Sequence, residues 1–180
     1  MKQSELINQL IEVSKRLNSK ACDLQALDLE NLSKRTNPES WNTLEILDHL
    51  NQYIEIYNHH FAEALRKANK KQIDKEITRG YFGNMFIGMM EPKKDGKIKK
   101  MNTFKSKNPM GKALNIGVIQ SFIDLNNETI DYLKKAQEID AQDVKCKLAI
   151  PVLKLKLSDA FQFIISHNQR HFVQIKSIMN

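Results

Sequence analysis

Glycine and proline are scarce, 6 and 4 in 180 residues, which argues against a turn-rich β-sandwich. No apolar run approaches the roughly 18 residues that a membrane-spanning helix needs. The N-terminal stretch MKQSELINQLIEVSKRL mixes polar and apolar residues and has no unbroken apolar core. No secretory leader is therefore expected, and a cytoplasmic setting is. The two cysteines, Cys22 and Cys146, are too far apart in sequence to form a ligand pair, so they read as reduced thiols.

Charge is what the chain has in excess, and it is unevenly placed. Of a net +7, residues 91–112 (EPKKDGKIKKMNTFKSKNPMGK) hold eight lysines against Glu91 and Asp95, leaving the remainder almost neutral. A surface that tracks nucleic-acid phosphates uses arginine and interleaved aromatics. This stretch has only Phe104 and no arginine. Nucleic-acid binding is thus a minor reading beside a solvated lysine loop, an anionic small-molecule substrate or an acidic partner. Burying Lys97, Lys99 and Lys100 unpaired would be costly, so the stretch is expected to be exposed and mobile.

Helical periodicity dominates the rest. Leu6, Leu10, Val13 and Leu17 mark a helix over 3–18, with Leu24, Leu27 and Leu32 continuing after a bend. Asn42 with Glu45 three residues on makes a capping box. A second helix then runs to about residue 69 with Ile46, His49, Leu50, Tyr53, Ile56, Tyr57, His60 and Ala64 on its apolar face. Residues 78–90 suggest a short helix or packed loop. A third long helix spans Val118 to about Ala141. Residues 144–157 alternate, but Pro151 interrupts them, so a connecting loop with a little extended structure is expected. The last helix starts at Ser158 or Asp159 and buries Phe161, Ile164, Ile165, Phe172, Ile175 and Ile178. The whole, residues 1–180, reads as one domain: an all-α four-helix bundle with a basic loop inserted between the second and third long helices.

Within that pattern His167 and His171 lie four residues apart on the last helix, between Ile164 and Ile175. Neighbours at that spacing share a face. His49 occupies an inward position on the second helix. Two bundle helices can thus bring three imidazoles to one metal ion at about 2.1 Å, leaving coordination positions open for water or substrate. The same three residues also suit hydrogen-bonded core positions, and His60 is a rival ligand. Residues 168–170 are Asn, Gln and Arg, so this is not the H-E-x-x-H of zinc proteases and brings no glutamate base. Glu45 and Asp48 are the remaining candidate bases near His49.

The segments WNTLEILDHLNQY and LSDAFQFIISHNQRHFVQI, with a proline between them, resemble the DinB/YfiT-like superfamily of helical metalloproteins along nearly the whole chain. The closing histidine pair followed by glutamine is the most specific part. The resemblance implies that His49, His167 and His171 are the ligands of one divalent transition ion (Zn, Ni, Fe or Cu) and that Trp41 packs at the start of the second helix. It implies a thiol-dependent S-transferase or isomerase acting on a small electrophile, with a low-molecular-weight thiol as co-substrate, and a homodimer. Asn42 stands where the family commonly has serine, and the long basic loop is atypical. A metal-dependent hydrolase and a non-catalytic helical binding module are the alternatives.

Overall fold

The computed structural model describes residues 1–70, 74–91, 103–150 and 152–179. The first apolar stripe forms α1, Gln3–Gln25, and buries Leu6, Leu10, Leu17 and Leu24. A single turn, α2 (Leu29–Ser33), follows, capped by the Asp28 carboxylate on the Asn31 amide. α3 is Thr43–Arg66 and starts at the expected box: Asn42 accepts from the Glu45 amide at 2.8 Å, and Glu45 from the Asn42 amide at 3.0 Å. Then come α4 (Tyr81–Met90), α5 (Gly117–Ala136), strands β1 (Lys145–Lys147) and β2 (Lys154–Lys156), and α6 (Leu157–Met179).

The four-helix expectation is corrected. The described residues form six helices, five of which (α1, α3, α4, α5, α6) pack extensively, while α2 sits against α3. The undercount has a physical cause. α2 is too short to show a period, and α4 is rich in apolar residues on all sides, so it shows no polar face. Residues 144–157 are likewise more ordered than expected. They make an antiparallel hairpin with Cys146 opposite Leu155, both buried, and lysines outside; residue 151 lies outside the described residues. Lys97, Lys99 and Lys100 also lie outside them. No helix among the described residues is long and apolar enough to cross a membrane.

α3 is the central element. Its Phe61 ring stacks on Phe161 of α6 at 4.1 Å. Against α5 it uses polar stitches as well as apolar contacts. Asn51 donates to the Val118 carbonyl at 2.9 Å. Asn58, which is 2% exposed, donates to the Leu125 carbonyl at 2.9 Å and to Glu128 at 2.8 Å, and accepts from the Thr129 hydroxyl at 2.7 Å. α4 is pinned to α6 by the buried Asp159 carboxylate, which accepts from the Gly80 amide at 2.9 Å. Gly83 makes that approach possible, since a Cβ there would lie 2.2 Å from Asp159 Oδ2.

Removing a buried group with three hydrogen bonds leaves its partners unpaired. Asn58→Ala is expected to cost about 2 kcal/mol, read as a lower urea midpoint with an unchanged slope.

Candidate metal centre

α3 and α6 lie side by side, and the inward register of each delivers its histidines to one place. The ring centroids are 5.3 Å apart for His49 and His167, 4.9 Å for His49 and His171, and 4.7 Å for His167 and His171. One nitrogen from each ring lies within 4.8 Å of the others, and among the described residues no further His, Cys, Asp or Glu joins the group. His49 and His167 are buried and His171 is partly exposed as a residue.

Hydrogen bonds fix which nitrogens face inward. His49 Nδ1 meets the Lys107 carbonyl at 3.1 Å. A carbonyl only accepts, so the proton sits on Nδ1 and the Nε2 lone pair is left free. His171 Nδ1 likewise meets Gln174 Oε1 at 3.0 Å. The Nε2 atoms of His49 and His167 are 3.4 Å apart. Two nitrogens bound at about 2.1 Å to one tetrahedral ion would be separated by about 3.4 Å. The donor set therefore fits a divalent transition ion. His167 Nδ1 is buried with no hydrogen-bond partner among the described residues.

Burial holds all three imidazoles below their ordinary range, hence neutral at pH 7. At His49 the Lys107 carbonyl opposes burial; at His167 and His171 the neighbouring rings and the Arg170 charge reinforce it. Trp41 lies 4.7 Å from His49 and stacks toward His171 at 6.2 Å. Tyr53 lies 4.9 Å from His49 and 5.2 Å from His167, and burial raises its hydroxyl above the ordinary range. Phe163 stacks on His167 at 6.4 Å.

The other candidates are elsewhere or engaged. His60 bonds the Lys147 carbonyl at 3.1 Å beside the hairpin, and His59 is exposed next to Glu63. Burial alone would raise the Glu45 carboxyl, but the two Arg35 contacts at 2.6 and 2.7 Å, the Asn42 amide and the Gly111 amide at 2.7 Å outweigh it and lower the pKa. Asp48 is tied to Lys112 at 2.8 Å and to Gln52. Cys146 is remote, its thiol pushed up to about 12 by burial. Two surface cavities of about 510 and 440 Å³ lie away from the three histidines.

Sequence reasoning did not find the segment that covers α3's start. After the 3-10 turn Lys105–Lys107, the Asn108 side chain accepts from Trp41 Nε1 at 3.0 Å and from the Met110 amide at 3.1 Å. Gly111 takes φ 77°, the left-handed region open to glycine, and so turns its amide to Glu45. The second half of the lysine-rich stretch is therefore tied down and supplies His49's outer partner. The run Asn108-Pro109-Met110-Gly111 was the only signal of such a turn.

Compared with protein-family models, curated proteins and solved structures, the chain matches none. The structure itself gives an all-α domain with a clustered histidine site of the kind that metal-binding helical bundles carry.

Protonation couples this cluster to stability. The folded-state pKa values lie below those of the unfolded chain, so the contribution is complete above about pH 6.5 and is lost as pH falls below it. The unfolded chain then binds protons that the folded one excludes. The urea midpoint of metal-free protein is expected to be flat near pH 7–8 and to decline steadily between about pH 6.5 and 5. His167→Gln should flatten that decline; an unchanged slope would count against the buried neutral ring.

Proposed function

We propose that His49, His167 and His171 hold one divalent transition ion (Zn, Ni or Fe) and that the chain is a metal-dependent enzyme of the DinB/YfiT-like kind, transferring a small thiol to an electrophile or isomerising a thiol adduct. The observation that carries this reading is the convergence of three neutral imidazoles, two with Nε2 atoms 3.4 Å apart. Such an ion would supply Lewis acidity and keep a bound thiol as thiolate at neutral pH.

The chain's own groups then define the chemistry. Lys107's carbonyl and Gln174 hold two of the rings in the tautomer that faces inward. Trp41, Tyr53 and Phe163 line the rings with aromatic surface. Burial keeps Tyr53 protonated, and its ring borders both His49 and His167. A hydrolase would need a free base to take a proton from water. Glu45 and Asp48 are both committed to cations, which favours the transferase reading over hydrolysis. The free cysteines, one of them the exposed Cys22, support a reducing, cytoplasmic setting.

The assembly we propose is a two-fold homodimer through α4. This helix has no charged residue and leaves Tyr81, Phe82, Met85 and Met89 exposed, a surface that isologous pairing would cover. Light scattering is expected to give about 42 kDa, twice the chain mass of 20.9 kDa; a value near the single-chain mass would defeat it.

Elemental analysis of gently purified protein is expected to show one divalent ion per chain. His49→Ala, His167→Ala and His171→Ala should each weaken it by at least about 100-fold in chelator competition. Retention of full affinity by any one variant would remove that residue from the site.

A further inference from the structure

The larger surface cavity, about 510 Å³, lies where three parts of the chain meet, and every side chain that lines it is polar or charged. Lys75 and Thr78 form one side, Gln142 and Asp143 a second, and Lys145 and Lys156 of the β1–β2 hairpin the third. The start of α1 fixes the first two from behind. The main-chain amide of Gln3 donates to the Lys75 carbonyl at 3.0 Å, and the Ile77 amide to the Met1 carbonyl at 2.9 Å. The buried Gln3 side chain donates to the Ile139 carbonyl at 2.7 Å and accepts from the Ala141 amide at 3.0 Å. The hairpin closes onto the same loop, where the Leu157 amide donates to the Val144 carbonyl at 2.9 Å. The walls are therefore held through the backbone.

Donors crowd one oxygen inside this cavity. Gln142 Oε1 accepts from the Thr78 amide at 3.1 Å, the Thr78 hydroxyl at 3.0 Å and the Lys156 ammonium at 3.2 Å. Gln142 Nε2 donates to the Glu76 carbonyl, which sets the amide this way round. A neutral amide oxygen has two lone pairs, so it serves three donors poorly. The other acceptors of Lys156 are the Thr78 carbonyl at 2.7 Å and the Thr78 hydroxyl at 3.2 Å, and it forms no ion pair among the described residues. The hairpin register sets Lys145 directly opposite Lys156. Like charges opposed across a strand pair are destabilising, and Lys145 has no ion-pair partner among the described residues either. Lys75 is different, because Asp140 and Asp143 (the latter at 3.0 Å) answer its charge. Two cations and three converging donors are thus met by a single neutral oxygen.

We propose that this cavity is an oxyanion site, where a small molecule carrying a phosphate or carboxylate places one oxygen in the position of Gln142 Oε1, within reach of the Thr78 amide, the Thr78 hydroxyl and the Lys156 ammonium. Lys145 adds charge from across the hairpin, and Gln142 is the side chain that gives way. An ionised oxygen answers the cluster better than an amide does, because hydrogen bonds to a charged acceptor are roughly twice as strong as neutral ones. The site is separate from the three histidines and does not rest on the metal reading.

The test titrates the full chain calorimetrically, at constant ionic strength, with inorganic phosphate and separately with acetate. Phosphate is expected to bind once per chain with a Kd on the order of 1 mM. Lys156→Gln should weaken it about tenfold, and Lys145→Gln about threefold. Lys154→Gln, on the same hairpin but beside the other cavity, should leave the affinity as it is. Gln142→Ala frees the donor cluster, so the affinity should rise about threefold; a diffuse lysine surface would show no such gain. Removing metal with a chelator should change nothing, because the histidines lie elsewhere. Unchanged circular dichroism establishes that each variant is folded.

Phosphate binding more tightly than acetate supports the site and assigns it a phosphate ligand; acetate binding as tightly or more so supports it and assigns a carboxylate. Absence of saturable binding by both anions overturns the proposal. So does an affinity that survives Lys156→Gln, or one that Gln142→Ala fails to raise. An equal loss in Lys145→Gln and Lys154→Gln would reveal general attraction to the hairpin's lysines, and a loss on chelation would put the anion at a metal ion; either result overturns it as well.

Discussion

Everything at the centre depends on the lone pairs that His49 and His171 turn inward, toward His167. The carbonyl of Lys107 and the side chain of Gln174 draw the protons of His49 and His171 outward. The inner nitrogens can then only accept. His167 can place at most one proton between them, and its Nδ1 has no partner among the described residues. A buried polar atom without a partner costs about 1–3 kcal/mol. A cation held by the three inward nitrogens would satisfy them together; the outer Nδ1 of His167 is not among them. The rest of the core holds α3 and α6 close enough to keep that arrangement, most visibly where Phe61 stacks on Phe161.

Glu45 links this centre to the surface segment beyond it. The carboxylate completes the capping box of α3, receives Arg35 from the loop before it, and accepts the Gly111 amide from the segment after the 3-10 turn. One side chain thus sets the start of the helix that carries His49 and the position of the backbone that orients His49. Its commitment also removes it from acid-base chemistry. The ionised form is the one that all four hydrogen bonds stabilise, and they outweigh the cost of burial.

The helices that carry the histidines were legible because His49, His167 and His171 fall within apolar periods, and the Asn42–Glu45 box announced α3's start. The structure places Gln174 and Trp41 against these rings, and both stood in the sequence motif. What escaped has identifiable causes. Lys107 acts through its backbone carbonyl, which no side-chain pattern records. α2 carries no readable period, and α4, read as a short helix or a packed loop, was not counted among the packed helices. The hairpin's alternation was visible in Lys145-Cys146-Lys147 and Lys154-Leu155-Lys156, but Pro151 was given more weight than it carries, because the pairing lies outside it.

α6 joins the histidine centre to the exposed apolar surface of α4. Its first turn supplies Asp159, which anchors α4 through the Gly80 amide in the space that Gly83 leaves open. Two turns later it supplies the histidines. Between them Phe163 lies 6.2 Å from Phe86 of α4 and 6.4 Å from His167, a continuous run of rings from one feature to the other. Phe163 thus stands between His167 and Phe86 of α4, a short helix that also exposes Tyr81, Phe82, Met85 and Met89. A helix of ten residues cannot be displaced on one side and stay put on the other, because close-packed interiors transmit strain. A shift of α4 would therefore reach His167 through Phe86 and Phe163, whose rings stand in series.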